Sequence, residues 1–198
     1  MTEVPTAPGG RHPHHVRRGE IVDYQTYEDN RGEIRSGAMA IKAPRRIHLG
    51  VHLTFLFENH DTMHYQIQEI MRAEKIVREA SIAEELDTYN GLLGGVGQLG
   101  CALLIEIDDE DERRKMLTAW LGLQEHLYAL DHEGNRSYAG FDPSQVGTDR
   151  LSAVQYLTFD LSTPPVALGC DFPGMVLETN LDKAQCRALA DDLAATRG

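Results

Sequence analysis

Between Ile47 and Phe57 the apolar residues fall on the odd positions: Ile47, Leu49, Val51, Leu53, Phe55 and Phe57. His48, Gly50, His52 and Thr54 occupy even positions, with Leu56 the exception, and Glu58 follows. Such period-two alternation predicts a strand with one face in the core. Asn59-His60-Asp61 has turn chemistry. Beyond it Met63, Tyr65 and Ile67 alternate with His64, Gln66 and Gln68, which predicts a second strand returning as a hairpin. Opposed residues share a face, so paired numbers must sum to an even value, about 120 or 122. Either register gathers His52, Thr54, Glu58, His64, Gln66 and Gln68 on one polar face.

From Glu69 the period becomes helical. Ile70, Ala73, Val77 and Ala80 recur at helical spacing, and the helix is expected to end near Tyr89-Asn90-Gly91. Leu99, Cys101, Leu103, Ile105 and Ile107 predict another strand. Asp108 and Asp109 are placed to cap a helix that runs through Trp120 and stops at Gly122. Further strands are expected at Glu125–Ala129, Val154–Leu161 and Met175–Glu178. A short helix is expected around Tyr24–Arg31, and a closing helix over Leu181–Ala194 with Asn180 as its cap. Strands arriving in hairpin-like groups predict an α+β fold, a largely antiparallel sheet with two or three packed helices. Residues 1–19, with Pro5, Pro8, Gly9 and Gly10, read as a flexible arm, and residues 20–198 as a single domain.

Composition narrows the partners. The chain has 198 residues, 31 acidic and 19 Lys or Arg, for a net charge of −12. That balance argues against nucleic acid and anionic membrane, because phosphate contacts need clustered Lys and Arg. No apolar run approaches the roughly 20 residues of a membrane span. With no secretory signal, the cytoplasm is the expected compartment. The charge is unevenly spread: residues 1–50 carry eight bases and six acids, net +2, and the rest carries net −14. Only the N-terminal third therefore offers an anion a locally positive surface. Three dispersed cysteines, Cys101, Cys170 and Cys186, without a C-x-x-C pair, predict reduced, buried thiols.

Dinucleotide, Walker, nucleophile-elbow and zincin motifs are absent from the sequence. The glycines from Gly94 to Gly100 precede a strand, the reverse of a phosphate loop, and read as a plain connection. His48 and His52 on one strand would stand about 13 Å apart, too far for one ion. Across the expected hairpin, Glu58 with His64 is the better metal pair, and a divalent metal is the candidate cofactor. Arg45 and Arg46 lead into the first strand and Arg72 follows the second. Brought together, they would clamp a carboxylate or phosphate.

Lys42-x-x-Arg45-Arg46-x-x-Leu49-Gly50, Phe57-Glu58-Asn59, Thr62, Gln66-Ile67-Gln68-Glu69 and Met71-Arg72-x-Glu74 resemble the bacterial domain of unknown function 3501 family. Glu85-Leu86-x-x-Tyr89-Asn90 and Ile105-Glu106-Ile107 continue the pattern, so the resemblance spans about residues 20–160. It carries no activity. It implies neighbours of the rubrerythrin-like and iron–sulfur oxidoreductase kinds, hence a redox or peroxide-defence setting. The histidines at 48, 52, 60 and 64 lie outside the pattern.

Glutamines neither attack nor titrate; they present donors and acceptors in fixed places. The first expectation from these residues is therefore an accessory binding protein rather than an enzyme, and the family resemblance implies redox partners for it. Its face would comprise Arg45, Arg46, Glu58, Gln66, Gln68, Glu69, Arg72 and Glu74. The second is a metal- or anion-binding enzyme or sensor. There Glu58, Glu69 and Glu74 are ligands or acid–base groups, and the three arginines anchor an anion. A third is a structural subunit that self-associates through an exposed sheet.

Overall fold

A computed structural model describes residues 14–198. Among the described residues the fold is α+β, with five α-helices and two antiparallel sheets. One sheet has the order β1-β2-β3-β7-β6: Arg46–Leu49, Leu53–Phe57, Gln98–Ile105, Val154–Asp160 and Gly140–Phe141. The other has the order β5-β4-β8-β9: Arg136–Tyr138, Leu127–Leu130, Ala167–Phe172 and Met175–Asn180. Ala139 alone separates β5 from β6, so the two sheets join at that corner. The helices are α1 (Tyr24–Lys42), α2 (His60–Glu74), α3 (Glu79–Asn90), α4 (Glu110–Ala119) and α5 (Lys183–Ala195). No helix among the described residues is long and apolar enough to cross a membrane.

The alternation from Ile47 to Phe57 is real, but it belongs to two strands. The chain folds back at Gly50, where φ is +65°, and pairs Ile47 with Phe55 and Leu49 with Leu53. Those paired numbers also sum to an even value, so every odd residue except the exposed tip Val51 still enters the core. The expected hairpin partner at 63–68 is a helix instead. Asn59 accepts from the Thr62 N–H at 3.0 Å, and Thr62 Oγ1 accepts from the Asn59 N–H at 2.9 Å. This reciprocal cap starts α2 where a turn was expected. Met63, Ile67 and Met71 form one buried stripe at spacing four. Tyr65 faces α1, where Arg35 donates to its hydroxyl at 3.0 Å. Two helical stripes thus imitated the strand period.

Three other elements differ in extent. The helix expected from Glu69 is split at Lys75, whose φ is +52°. The short helix around Tyr24–Arg31 runs on to Lys42. Asp182, not Asn180, caps α5, accepting from the N–H groups of Ala184 and Gln185. Asp109 caps α4 as expected. β5, β6 and β8 were not expected.

One core cluster joins the inner faces of both sheets with Leu189 and Leu193 of α5 and Leu117 of α4. Its centre is Phe55, Phe57 and Phe159, with ring centroids 5.8–6.5 Å apart. A second, smaller core, from Met63, Ile67, Met71, Ile82, Leu86 and Leu93, binds α2 to α3. Of the arm expected at 1–19, residues 1–13 lie outside the described residues. Val16 is buried, and its N–H and carbonyl are both bonded to the Asn90 side chain, at 2.8 and 3.0 Å.

Candidate functional site

Glu58 sits where β2 hands over to α2. Its N–H donates to the Gly100 carbonyl at 3.0 Å, one more rung of the β2–β3 ladder, which fixes the residue in place. Two turns into α2, Gln66 Nε2 donates to Glu58 Oε1 at 3.0 Å. The side chain is 8% exposed, and Oε2 is buried with no hydrogen-bond partner. Burial pushes the Glu58 carboxyl above the usual carboxylate range. The Thr62 hydroxyl, the Lys42 charge, the Gln66 amide and the Arg45 charge pull less strongly the other way. A buried acceptor without a donor costs on the order of 1–3 kcal/mol.

Beside it stands a carboxylate in the opposite condition. Asp192 of α5 accepts from Arg45 Nε and Nη2 at 2.7 and 2.8 Å and from Asn59 Nδ2 at 3.0 Å. Arg45 also donates to the Ile41 carbonyl at 2.6 Å. Both Asp192 oxygens therefore have donors, whereas Glu58 has one oxygen, Oε2, without one.

The two acids line one cavity of about 190 Å³. Leu93, Leu99 and Ala195 supply apolar wall, and His14, His60 and Asp61 lie around it. A dry cavity of about 150 Å³ is enough for benzene. The space suits a small organic molecule, with one apolar side and one acidic side. Across the ladder from Phe57, Cys101 is fully enclosed, and burial, reinforced by the Glu58 charge, pushes its thiol well up. It is a thiol, not a thiolate nucleophile.

The expected site residues do not form one face. Arg46 pairs with Glu106 at 2.9 Å on the outer side of the hairpin sheet, where Glu106 also accepts from the Thr54 hydroxyl. Arg72 lies 3.5 Å from Glu28 and 3.7 Å from Glu69. With Arg45 on Asp192, the three arginines serve three different groups of acids, and the expected clamp is not formed. Gln68 is buried; it accepts from the Val22 N–H at 2.8 Å and donates to the Val22 carbonyl at 3.2 Å, pinning the chain ahead of α1. Glu69 accepts from the Tyr27 hydroxyl and from Arg31 Nε and Nη2 at 2.6–2.9 Å, tying α1 to α2. Glu74 is exposed at the end of α2. These positions hold the fold. Of the expected set only Glu58 lines the cavity; Gln66 is bonded to Glu58, and Arg45 to Asp192 on the same wall.

The metal pair depended on the hairpin that became a helix. His64 Nε2 instead contacts the Glu20 carbonyl at 2.9 Å and its ring stacks on His60, while Glu58 turns to Gln66. Among the described residues, no group of three or more His, Cys, Asp or Glu is placed to hold a metal ion.

The family model described as "Protein of unknown function (DUF3501)" matches residues 15–193. The chain belongs to the DUF3501 family. The match includes every residue of the cavity named above except His14 and Ala195. Among solved structures, this DUF3501 chain is similar to a protein of unknown function from Burkholderia pseudomallei K96243. The two share 28% identity and a TM-score of 0.82, over 90% of this chain and 98% of the other. No curated protein matches this DUF3501 chain.

Sequence reasoning placed Glu58 and Gln66 on one polar face and missed Asp192, Asn59 and the cavity. Asp192 lies on α5, 147 residues from its partner, and no local pattern ties the two together. A second cluster was missed with β8. Asp171 accepts from the Tyr138 hydroxyl at 2.6 Å and from Arg136 at 3.1 Å, and lies 2.9 Å from His126 Nδ1. Tyr138 and His126 hold its carboxyl below the usual range. This network ties β5 and the turn before β4 to β8.

Proposed function

We propose that the protein is a binding protein whose ligand site is the Glu58 cavity. The ligand is a small organic molecule that presents an amine to Glu58 Oε2. The single observation that carries this reading is that Oε2 is buried, unpartnered and part of a side chain lining a cavity. An ammonium group would supply the donor that Oε2 lacks, and charge-assisted bonds in such surroundings are the strong ones. The Leu93, Leu99 and Ala195 wall favours a short apolar body behind that group. The chemistry supports binding over catalysis, because the Cys101 thiol, which feels the Glu58 charge, is enclosed and held in the thiol form by burial. A redox or peroxide-defence partnership rests on the family resemblance alone; no contact described above supports it, and it forms no part of this reading.

Calorimetric titration with benzylamine and with toluene tests the proposal. Benzylamine is expected to bind saturably, toluene at least tenfold more weakly, and Glu58→Gln to lose the preference. Equal binding of the two probes, or unchanged benzylamine affinity in Glu58→Gln, contradicts it.

A further inference from the structure

Although residues 51–198 carry net −14, and the first fifty were expected to hold the positive surface, arginines gather on a concave surface beyond residue 50. Between α4 and the segment 145–153 lies an open trough of about 560 Å³. Three arginines line it, Arg113, Arg114 and Arg150, against a single acid, Glu110. Its floor is rigid. Leu117 and Leu151 are buried in the main core, and the Leu151 N–H donates to the Leu117 carbonyl at 3.0 Å.

The three arginines are not equally engaged. Arg114 is held by Glu110 at 3.3 Å and Asp111 at 3.8 Å. Arg113 gives one N–H to the Ile107 carbonyl at 2.8 Å. That bond orients the guanidinium without neutralising it. Arg150 makes no hydrogen bond or ion pair among the described residues. Gln145 and Ser152 add an amide and a hydroxyl at the same rim. Ser152 Oγ accepts from the Val154 N–H at 3.2 Å, which leaves its proton to donate. Two arginines with unused N–H donors, a serine and a glutamine line one space, and a guanidinium fork matches an oxyanion bidentately.

We infer that this trough binds a small dianion through Arg113 and Arg150, the shared chemistry being a phosphate or a pair of carboxylates. The trough lies apart from the Glu58 cavity and shares no lining residue with it, so the two sites are independent. Charge-assisted contacts this exposed are screened by salt, so affinity falls as ionic strength rises.

The test follows the arginine Nε–H signals by NMR at constant ionic strength, with inorganic phosphate in one titration and succinate in another. Saturation by phosphate identifies a tetrahedral oxyanion site, and saturation by succinate a dicarboxylate site spanning the two arginines. In either case Arg150→Gln is expected to weaken binding at least tenfold, and Arg113→Gln with Arg150→Gln to abolish it. Glu58→Gln is expected to leave it unchanged. Arg150 has no partner in the fold, so its replacement keeps the variant folded, and an unchanged thermal midpoint checks this. Failure of both anions to saturate, or equal binding by Arg150→Gln, overturns the inference.

Discussion

Arg45 and Asp192 stand 147 residues apart in the chain and meet in a two-pronged pair, with N–O distances of 2.7 and 2.8 Å. Their side chains are 11% and 8% exposed. The pair fastens α5 to the turn that follows α1, and Asn59 joins it from the start of α2. Removing one member of a buried pair leaves the other charge uncompensated, at a cost of about 3–5 kcal/mol. Asp192→Ala should lose stability of that order in urea denaturation. The double variant Arg45→Met with Asp192→Leu should recover most of it, because neither charge is then stranded. Equal loss in both variants would show that packing, not charge, holds α5 there.

Glu69 gives the acid side of the stability profile. The Arg31 guanidinium beside it, then the Tyr27 hydroxyl, hold its carboxyl at about 2 despite the opposing effect of burial. Because the folded value is depressed, the stabilisation is complete above the unfolded carboxylate value of about 4.3. It is lost as pH falls from there toward about 2. Urea midpoints measured at intervals from pH 6 to pH 3 should fall more steeply for the native chain than for Glu69→Gln. Parallel curves would remove Glu69 from the acid response.

Glu58 has the opposite sign. Its folded value is raised, so the stabilisation it gives is present below the unfolded value and is lost as pH rises through the folded one. Without ligand, Glu58→Gln should melt higher than the native chain at pH 8, and the difference should vanish by pH 4. Thermal melts at the two values check this. A variant less stable at pH 8 would mean that Oε2 is satisfied as a carboxylate.

Gly100 shapes the wall of the cavity. A Cβ there would lie 1.8 Å from the Leu92 carbonyl oxygen, a backbone atom that can retreat only by moving the segment carrying Leu93. Gly100→Ala should cost about 3 kcal/mol or more, at the upper end of overpacking. A melting temperature within a degree of the native chain's would contradict this close approach.

How legible these features are depends on how local their causes are. β3 and α4 could be read directly, because a clean alternation and an aspartate cap are set within a few residues. The alternation from Ile47 to Phe57 was readable, but the turn inside it was not. The positive φ at Gly50 folds the strand back at a place where alternation carries no signal. α1 buries only Tyr27 and Ala38, so its nineteen residues show little period. It is held by the Glu69, Tyr65 and Gln68 contacts of a helix that the alternating 63–67 disguised as a strand. At the site, Glu58 and Gln66 could be named because eight residues separate them. Asp192 could not, because only the tertiary fold brings it to Arg45.

The most direct test is the titration of the Glu58 carboxyl carbon itself, followed by 13C NMR with and without saturating benzylamine. The account expects a value above the usual carboxylate range in the free protein, falling when the ammonium group takes its place at Oε2. A Glu58 titration that the amine leaves unmoved would contradict it.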